Sequence, residues 1–116
     1  MTATPPFAVH VADVELEHAP LPAEQVVSGD PTVAARELWR APAGAVSAGV
    51  WEIGEGVSTD VEADELFVVI SGRATIAFAD GRVVEAGPGD AVELRAGDRT
   101  TWTVHERLRK VYVVVE

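Results

Sequence analysis

The sequence predicts an all-β domain closed into a small barrel, and three observations carry that prediction. The chain has 116 residues, a length that suits one domain and suffices to bury a real core. Hydrophobic residues make up 47% and charged residues 24%, the balance of an ordinary globular protein. From residue 46 onward, short apolar or β-branched runs alternate with Gly/Asp turns, the spacing of a sandwich or barrel.

The elements follow in order. Residues 1–34 form an N-terminal arm, rich in Ala, Pro and Glu and weakly periodic. Within it Phe7, Val9 and Val11 alternate with Ala8, His10 and Ala12 as a short strand would. Leu21-Pro22-Ala23-Glu24-Gln25 reads as irregular chain and Asp30-Pro31-Thr32 as a turn. The segment Val33–Trp39 is ambiguous between a helical turn and a strand, and a strand near Arg36–Arg40 is favoured. Residues 35–116 form the barrel. Its strands are expected at Val46–Ile53, Leu66–Ile70, Ala74–Phe78, Arg82–Glu85, Ala91–Leu94, Thr100–His105 and Lys110–Val115. Asp80-Gly81 supplies the positive φ angles of a tight hairpin, and Gly87-Pro88-Gly89-Asp90 and Ala96-Gly97-Asp98 supply further turns.

Composition narrows function. The net charge of -10 repels phosphate backbones and anionic lipid, so neither nucleic acid nor membrane is an expected partner. No apolar run approaches the twenty residues of a membrane helix. Met1-Thr2-Ala3-Thr4-Pro5-Pro6 has neither the basic residue nor the apolar stretch of a secretory signal. Cysteine is absent, which removes disulfides, thiolate ligands and a catalytic thiol. A cytoplasmic location is the expectation.

Two segments then become specific. Glu65-Leu66-Phe67-Val68-Val69-Ile70-Ser71-Gly72 resembles the end of the first motif of the cupin superfamily, a Glu followed after six residues by Gly. Gly89-Asp90-Ala91-Val92-Glu93-Leu94-Arg95-Ala96-Gly97 resembles the start of the second. With Gly49-Val50-Trp51-Glu52, Asp64-Glu65-Leu66, Gly87-Pro88-Gly89-Asp90, Thr101-Trp102 and Arg109-Lys110-Val111-Tyr112, the set is similar to the cupin branch named for (S)-ureidoglycine aminohydrolase. The likeness spans roughly residues 35–116. It implies an RmlC-like jelly roll, a double-stranded β-helix of two antiparallel sheets, often a homodimer.

The departures from the pattern bear on chemistry. A metal-binding cupin places two His in the first motif and one in the second. Here Ser58, Asp60 and Thr100 occupy those positions, and Arg95 stands where Pro is common. His10, His18 and His105 fall on no motif position. Of the four usual ligands only Glu65 remains. Imidazoles let a site hold Fe, Mn, Ni or Zn at neutral pH, whereas this set offers only oxygens. No cofactor is therefore expected. A weak site for a hard divalent cation, through Glu65 and Asp60, is the one alternative.

Strand alternation supplies a candidate pocket. If Glu65 points inward, so do Phe67 and Val69; if Thr100 does, so do Trp102 and Val104. Phe67, Thr100 and Trp102, with Trp51 and with Ser58, Asp60 and Lys110, which the resemblance supplies and whose directions alternation does not give, make up the candidate ligand pocket, and Glu65 is its catalytic candidate. Two readings of the aromatics stay open, pocket walls or core filling of a small barrel. Two readings of Glu65 also stay open. Burial raises its pKa and suits it to general acid–base work, or Lys110 or an Arg pairs with it and holds it charged. Most of the acidic run Asp60–Glu65 is expected to be a solvated face, and His105 to face outward. The leading functional expectation is a small-molecule site that binds or transforms a small polar metabolite without a tightly held transition metal. If an enzyme, it would be a hydrolase or isomerase-type cupin. A metal-dependent ureidoglycine aminohydrolase and a non-catalytic dimeric ligand-binding scaffold are the alternatives.

Overall fold

A computed structural model describes residues 7–116; the stretch Met1–Pro6 lies outside the described residues. Nine strands follow one another: β1 (Ala19–Pro20), β2 (Val26–Ser28), β3 (Thr32–Arg40), β4 (Val46–Ile53), β5 (Gly56–Val61), β6 (Asp64–Phe78), β7 (Val83–Ala86), β8 (Ala91–Leu94) and β9 (Arg99–Val115). The long strands β6 and β9 pair with each other and each serves two sheets. The first half of β6 and the second half of β9 lie between β8 and β4, and β4 continues to β3 and β1. The second half of β6 and the first half of β9 lie between β7 and β5, and β5 continues to β2. All pairings are antiparallel, and the result is the jelly-roll barrel of a cupin.

The long strands change sheets at a bend that the sequence marks with Gly72. Its φ is +84°, and a Cβ there would fall on the Arg107 carbonyl of the adjacent strand, so no other residue fits without movement. The ladder slips between Val69 and Ala74 at the same place. In consequence the inward phase of β6 switches from Phe67 and Val69 to Ala74, Ile76 and Phe78, all buried. Together with Val92, Leu94, Trp102, Val104 and Leu108 these residues form the core.

Several elements differ from the sequence expectation. Leu66–Ile70 and Ala74–Phe78 are one strand, as are Thr100–His105 and Lys110–Val115. Strand β3 starts at Thr32 rather than Arg36. Strands β1, β2 and β5 were not anticipated. With β1, β2 and the start of β3, residues before position 35 pair directly with barrel strands. Phe7–Val11 is not a strand: residues 7–10 are irregular and Val11–Asp13 is a 3-10 turn. The carbonyls at the 3-10 turn meet a side chain instead of a sheet neighbour. Arg109 Nη1 donates to the carbonyls of Val11 and Val14, each at 2.8 Å, while its Nε donates to Glu52 Oε2 at 2.8 Å. His18 Nε2 donates to Glu52 Oε1 at 2.6 Å. Burial raises the Glu52 carboxyl, but the bonds and charges of Arg109 and His18 together outweigh it and hold Glu52 below the usual range.

Candidate functional site

A cavity of about 160 Å³ opens into the barrel lumen. Register explains what lines it. Residues paired across antiparallel strands share a face, so Trp51 on β4, Lys110 on β9 and Val69 on β6 form one inward row. Ser58, Trp102 and Ile76 form another, and Asp60, Thr100 and Phe78 a third. Six of the expected site residues meet at the cavity: Trp51, Ser58, Asp60, Glu65, Trp102 and Lys110. Phe67 and Thr100 are buried and do not line it. Phe67 backs the site, with its ring centroid 5.7 Å from that of Trp102.

The centre of the site is Lys110. Its side chain is only 6% exposed, and Nζ lies 2.7 Å from Glu65 Oε2. It also lies 4.3 Å from the Trp51 ring centroid, 4.2 Å from that of Phe67 and 5.2 Å from that of Trp102. Of the two arrangements open for Glu65, the one present is the pairing with Lys110. The contact is close but out of hydrogen-bonding line, so Oε2 is buried with a charge beside it and no aligned donor. Burial pushes the Lys110 ammonium below the ordinary lysine range, although Glu65, and then Glu62 and Asp60, pull it back up.

The lining residues missed from sequence include Glu62, Tyr112 and Gln25. Glu62 belongs to the run read as mostly solvated. It turns inward because Thr100 Oγ1 and Trp102 Nε1 both donate to its Oε2, at 2.6 and 3.0 Å. Alternation from Asp60 would have found it. Tyr112 continues the inward phase of β9, and burial raises its phenol above the usual range. Gln25 reaches the cavity from the 3-10 turn before β2, donating to the Thr59 carbonyl at 3.1 Å, a contact no local pattern encodes. Asp60 stays exposed at the mouth. Partial desolvation by the surrounding wall nevertheless raises its carboxyl, with Lys110 pulling the other way.

The donor set does not fit a cupin transition metal. Thr100 is engaged by Glu62 and Glu65 by Lys110, and Ser58 is a neutral hydroxyl, a weak ligand. Among the described residues no group of three or more His, Asp or Glu is placed to hold a metal ion. His18 is tied to Glu52, and His105 is exposed with Nε2 2.8 Å from Thr75 Oγ1.

Two antiparallel sheets rolled around a polar-floored lumen define a cupin. The family described as the EutQ-like cupin domain matches residues 40–112, and the chain belongs to it. Among solved structures it is similar to the Clostridium difficile EutQ protein, at 22% identity and TM-score 0.70, over 93% of this chain and 85% of that one. A DUF861-family protein of unknown function from Pseudomonas syringae pv. tomato shares 23% identity and TM-score 0.73, over 89% of this chain and 45% of that one. This chain thus spans less than half of that protein. Ectoine synthase from P. lautus shares 17% identity and TM-score 0.66, over 94% and 77% of the two chains. At these identities the likeness is one of fold. The comparison with curated proteins finds no match.

Proposed function

We propose that this chain binds or transforms a small polar metabolite in the barrel lumen without a tightly held transition metal. One observation carries the reading: a cavity with aromatic walls has a buried ammonium–carboxylate pair, Lys110 and Glu65, at its floor. Apolar walls with a few convergent polar groups are what small-molecule sites present. An engineered cavity of about 150 Å³ admits benzene, so this one suits a ligand of about six non-hydrogen atoms. Glu65 is the acid–base candidate, since the proton it would exchange has a partner at 2.7 Å on Lys110.

Titration with a panel of small polar metabolites, followed by indole fluorescence of Trp51 and Trp102, tests the reading. A saturable change that weakens in Trp51→Phe, with Trp102 left as the second reporter, is expected. No saturable change with any compound overturns it. Elemental analysis of protein purified without chelator tests the metal clause, and one equivalent of Mn, Fe, Ni or Zn removes it.

The motif segments that resemble the ureidoglycine aminohydrolase branch favour a second reading, ammonia release from ureidoglycine with Mn²⁺. Absence of release at every Mn²⁺ concentration ends that reading. A non-catalytic sensor or scaffold instead predicts that Glu65→Gln leaves ligand binding intact and that no bound compound turns over. The homodimer is likewise a proposal. Trp39, Ala48, Val113 and Leu66 form one row across the outer face of β3, β4, β9 and β6. Trp39, Val113 and Leu66 are exposed, and a contiguous apolar strip of this kind is what a second copy would cover.

A further inference from the structure

The basic residues of this chain are eight arginines and a single lysine, Lys110. The arginines never lose their charge in a protein. Lys110 is thus the one cationic side chain of the Lys/Arg set able to become a neutral amine, and it is the one placed in the lumen. Its Nζ has a carboxylate at 2.7 Å to receive a proton and a cavity beside it to receive a carbonyl compound. From this geometry we propose that Lys110 is an amine nucleophile that forms an imine with a small aldehyde or ketone in the lumen, with Glu65 as its proton partner. The proposal rests on the lumen being the ligand site.

The steps balance with nothing added beyond the carbonyl compound. The ammonium gives one proton to Glu65, leaving a neutral amine beside a carboxylic acid. Burial penalises the ion pair more than this neutral pair. The nitrogen lone pair attacks the carbonyl carbon as the C=O π electrons move to oxygen, and a proton passes from nitrogen to that oxygen to give a carbinolamine. Glu65 returns its proton to the hydroxyl, the C–O bond breaks, water leaves and the nitrogen lone pair forms C=N. The product is a protonated imine with Glu65 as its carboxylate counter-ion. Two influences compete over the starting proton. The faces of Trp51, Phe67 and Trp102 and the Glu65 charge hold it on Nζ, and desolvation expels it. Desolvation is the larger, so Lys110 sits below the ordinary lysine range. Desolvated lysines are activated in this way as nucleophiles.

The mouth selects among carbonyl compounds. Asp60 and Glu62 line the same cavity as Lys110, and Lys110 is already balanced by Glu65. A carbonyl compound that is uncharged or carries an amine is favoured, and one bearing a carboxylate is repelled.

Reductive trapping tests this. The full chain is incubated with glycolaldehyde and cyanoborohydride and the adduct is located by peptide mass mapping. The α-amino group is the internal control, because it reacts whether or not the lumen is formed. One hydroxyethyl group on Lys110 is the expected result, lost in Lys110→Arg and slowed in Glu65→Gln. Folding of both variants is checked by circular dichroism. Glyoxylate, of similar size but anionic, is expected to label Lys110 about tenfold less, the effect of one unbalanced like charge at roughly 12 Å and an effective dielectric of about 20. Labelling confined to the α-amino group overturns the proposal. Labelling of Lys110 by glyoxylate as readily as by glycolaldehyde overturns the charge selection. If Lys110 stays unlabelled while the fluorescence titration saturates with other compounds, the imine falls and the binding site stands. If both fail, the lumen is not a ligand site.

Discussion

Replacing Lys110 by Met tests the electrostatics of the lumen directly. Methionine keeps the length and apolar stem of the side chain and removes only the ammonium. Glu65 is then left with Oε2 buried, no aligned donor and no counter-charge. Breaking a buried pair from one side destabilises by about 3–5 kcal/mol. For a domain of this size each kcal/mol moves Tm by about 4 °C, so Lys110→Met should lower Tm by about 12–20 °C. Lys110→Met combined with Glu65→Gln removes both charges and should recover most of that loss. An exposed pair supplies the contrast. Arg82 and Asp80 meet at 2.8 Å with both side chains more than half exposed, and Arg82→Met should change stability by less than about 1 kcal/mol. Urea unfolding of the four proteins, followed by far-UV circular dichroism, gives all three differences. A loss below about 1 kcal/mol for Lys110→Met, or a double variant no better than the single, would mean that the lumen solvates Glu65 and that the pair is not buried in solution.

Three further outcomes follow from the fold. Gly72→Ala should destabilise by about 3 kcal/mol or more, because the positive φ and the Arg107 carbonyl both reject a Cβ; unchanged urea midpoints would show that the bend can shift. Glu52 has a folded pKa depressed below its unfolded value. The stability it contributes is therefore present above the unfolded pKa and lost as pH falls through the folded one. Glu52→Gln should flatten the acid limb of the stability profile and raise hydrogen exchange at the amides of Val11–Val14, and an unchanged profile would refute the latch. If Leu66 and Val113 meet a second copy, Leu66→Glu with Val113→Glu should convert a dimer to a monomer by analytical ultracentrifugation, and a monomeric parent protein would dispose of the interface.

The fold was legible because its devices are local. Gly/Asp turns, alternating apolar runs and the Glu65-to-Gly72 frame each sit within ten residues. Once the motif resemblance set Glu65 and Thr100 inward, period two carried that phase to Phe67 and Trp102. It did not reach Lys110, because the strand was divided at Glu106–Arg109. Within the continuous β9, the phase of Trp102 and Val104 carries on to Leu108, Lys110 and Tyr112. The Glu62 contribution was obscured by its acidic neighbours Asp60 and Asp64, which are exposed. The clamp of Arg109, Glu52 and His18 joins residues 34 and more positions apart. Nothing in a single sequence reports that pairing, and it is what replaced the expected strand at Phe7–Val11.

The Lys110–Glu65 pair is hard to explain as a device for stability. Buried ion pairs exchanged for apolar residues of similar volume are often neutral or stabilising by about 1–4 kcal/mol. A small barrel already filled by Phe67, Trp102, Leu94 and Ile76 has no need of an ammonium in its lumen. Lys110 also cannot be read as a charge added for solubility, since it is among the most buried polar residues of a chain with net charge -10. The surface cations are all arginine, so the choice of lysine at this one position favours a property that arginine lacks. That property is the ability to surrender a proton. A motif carboxylate at 2.7 Å, an apolar wall that disfavours charge, and open volume on the remaining side are the conditions under which that ability can be used.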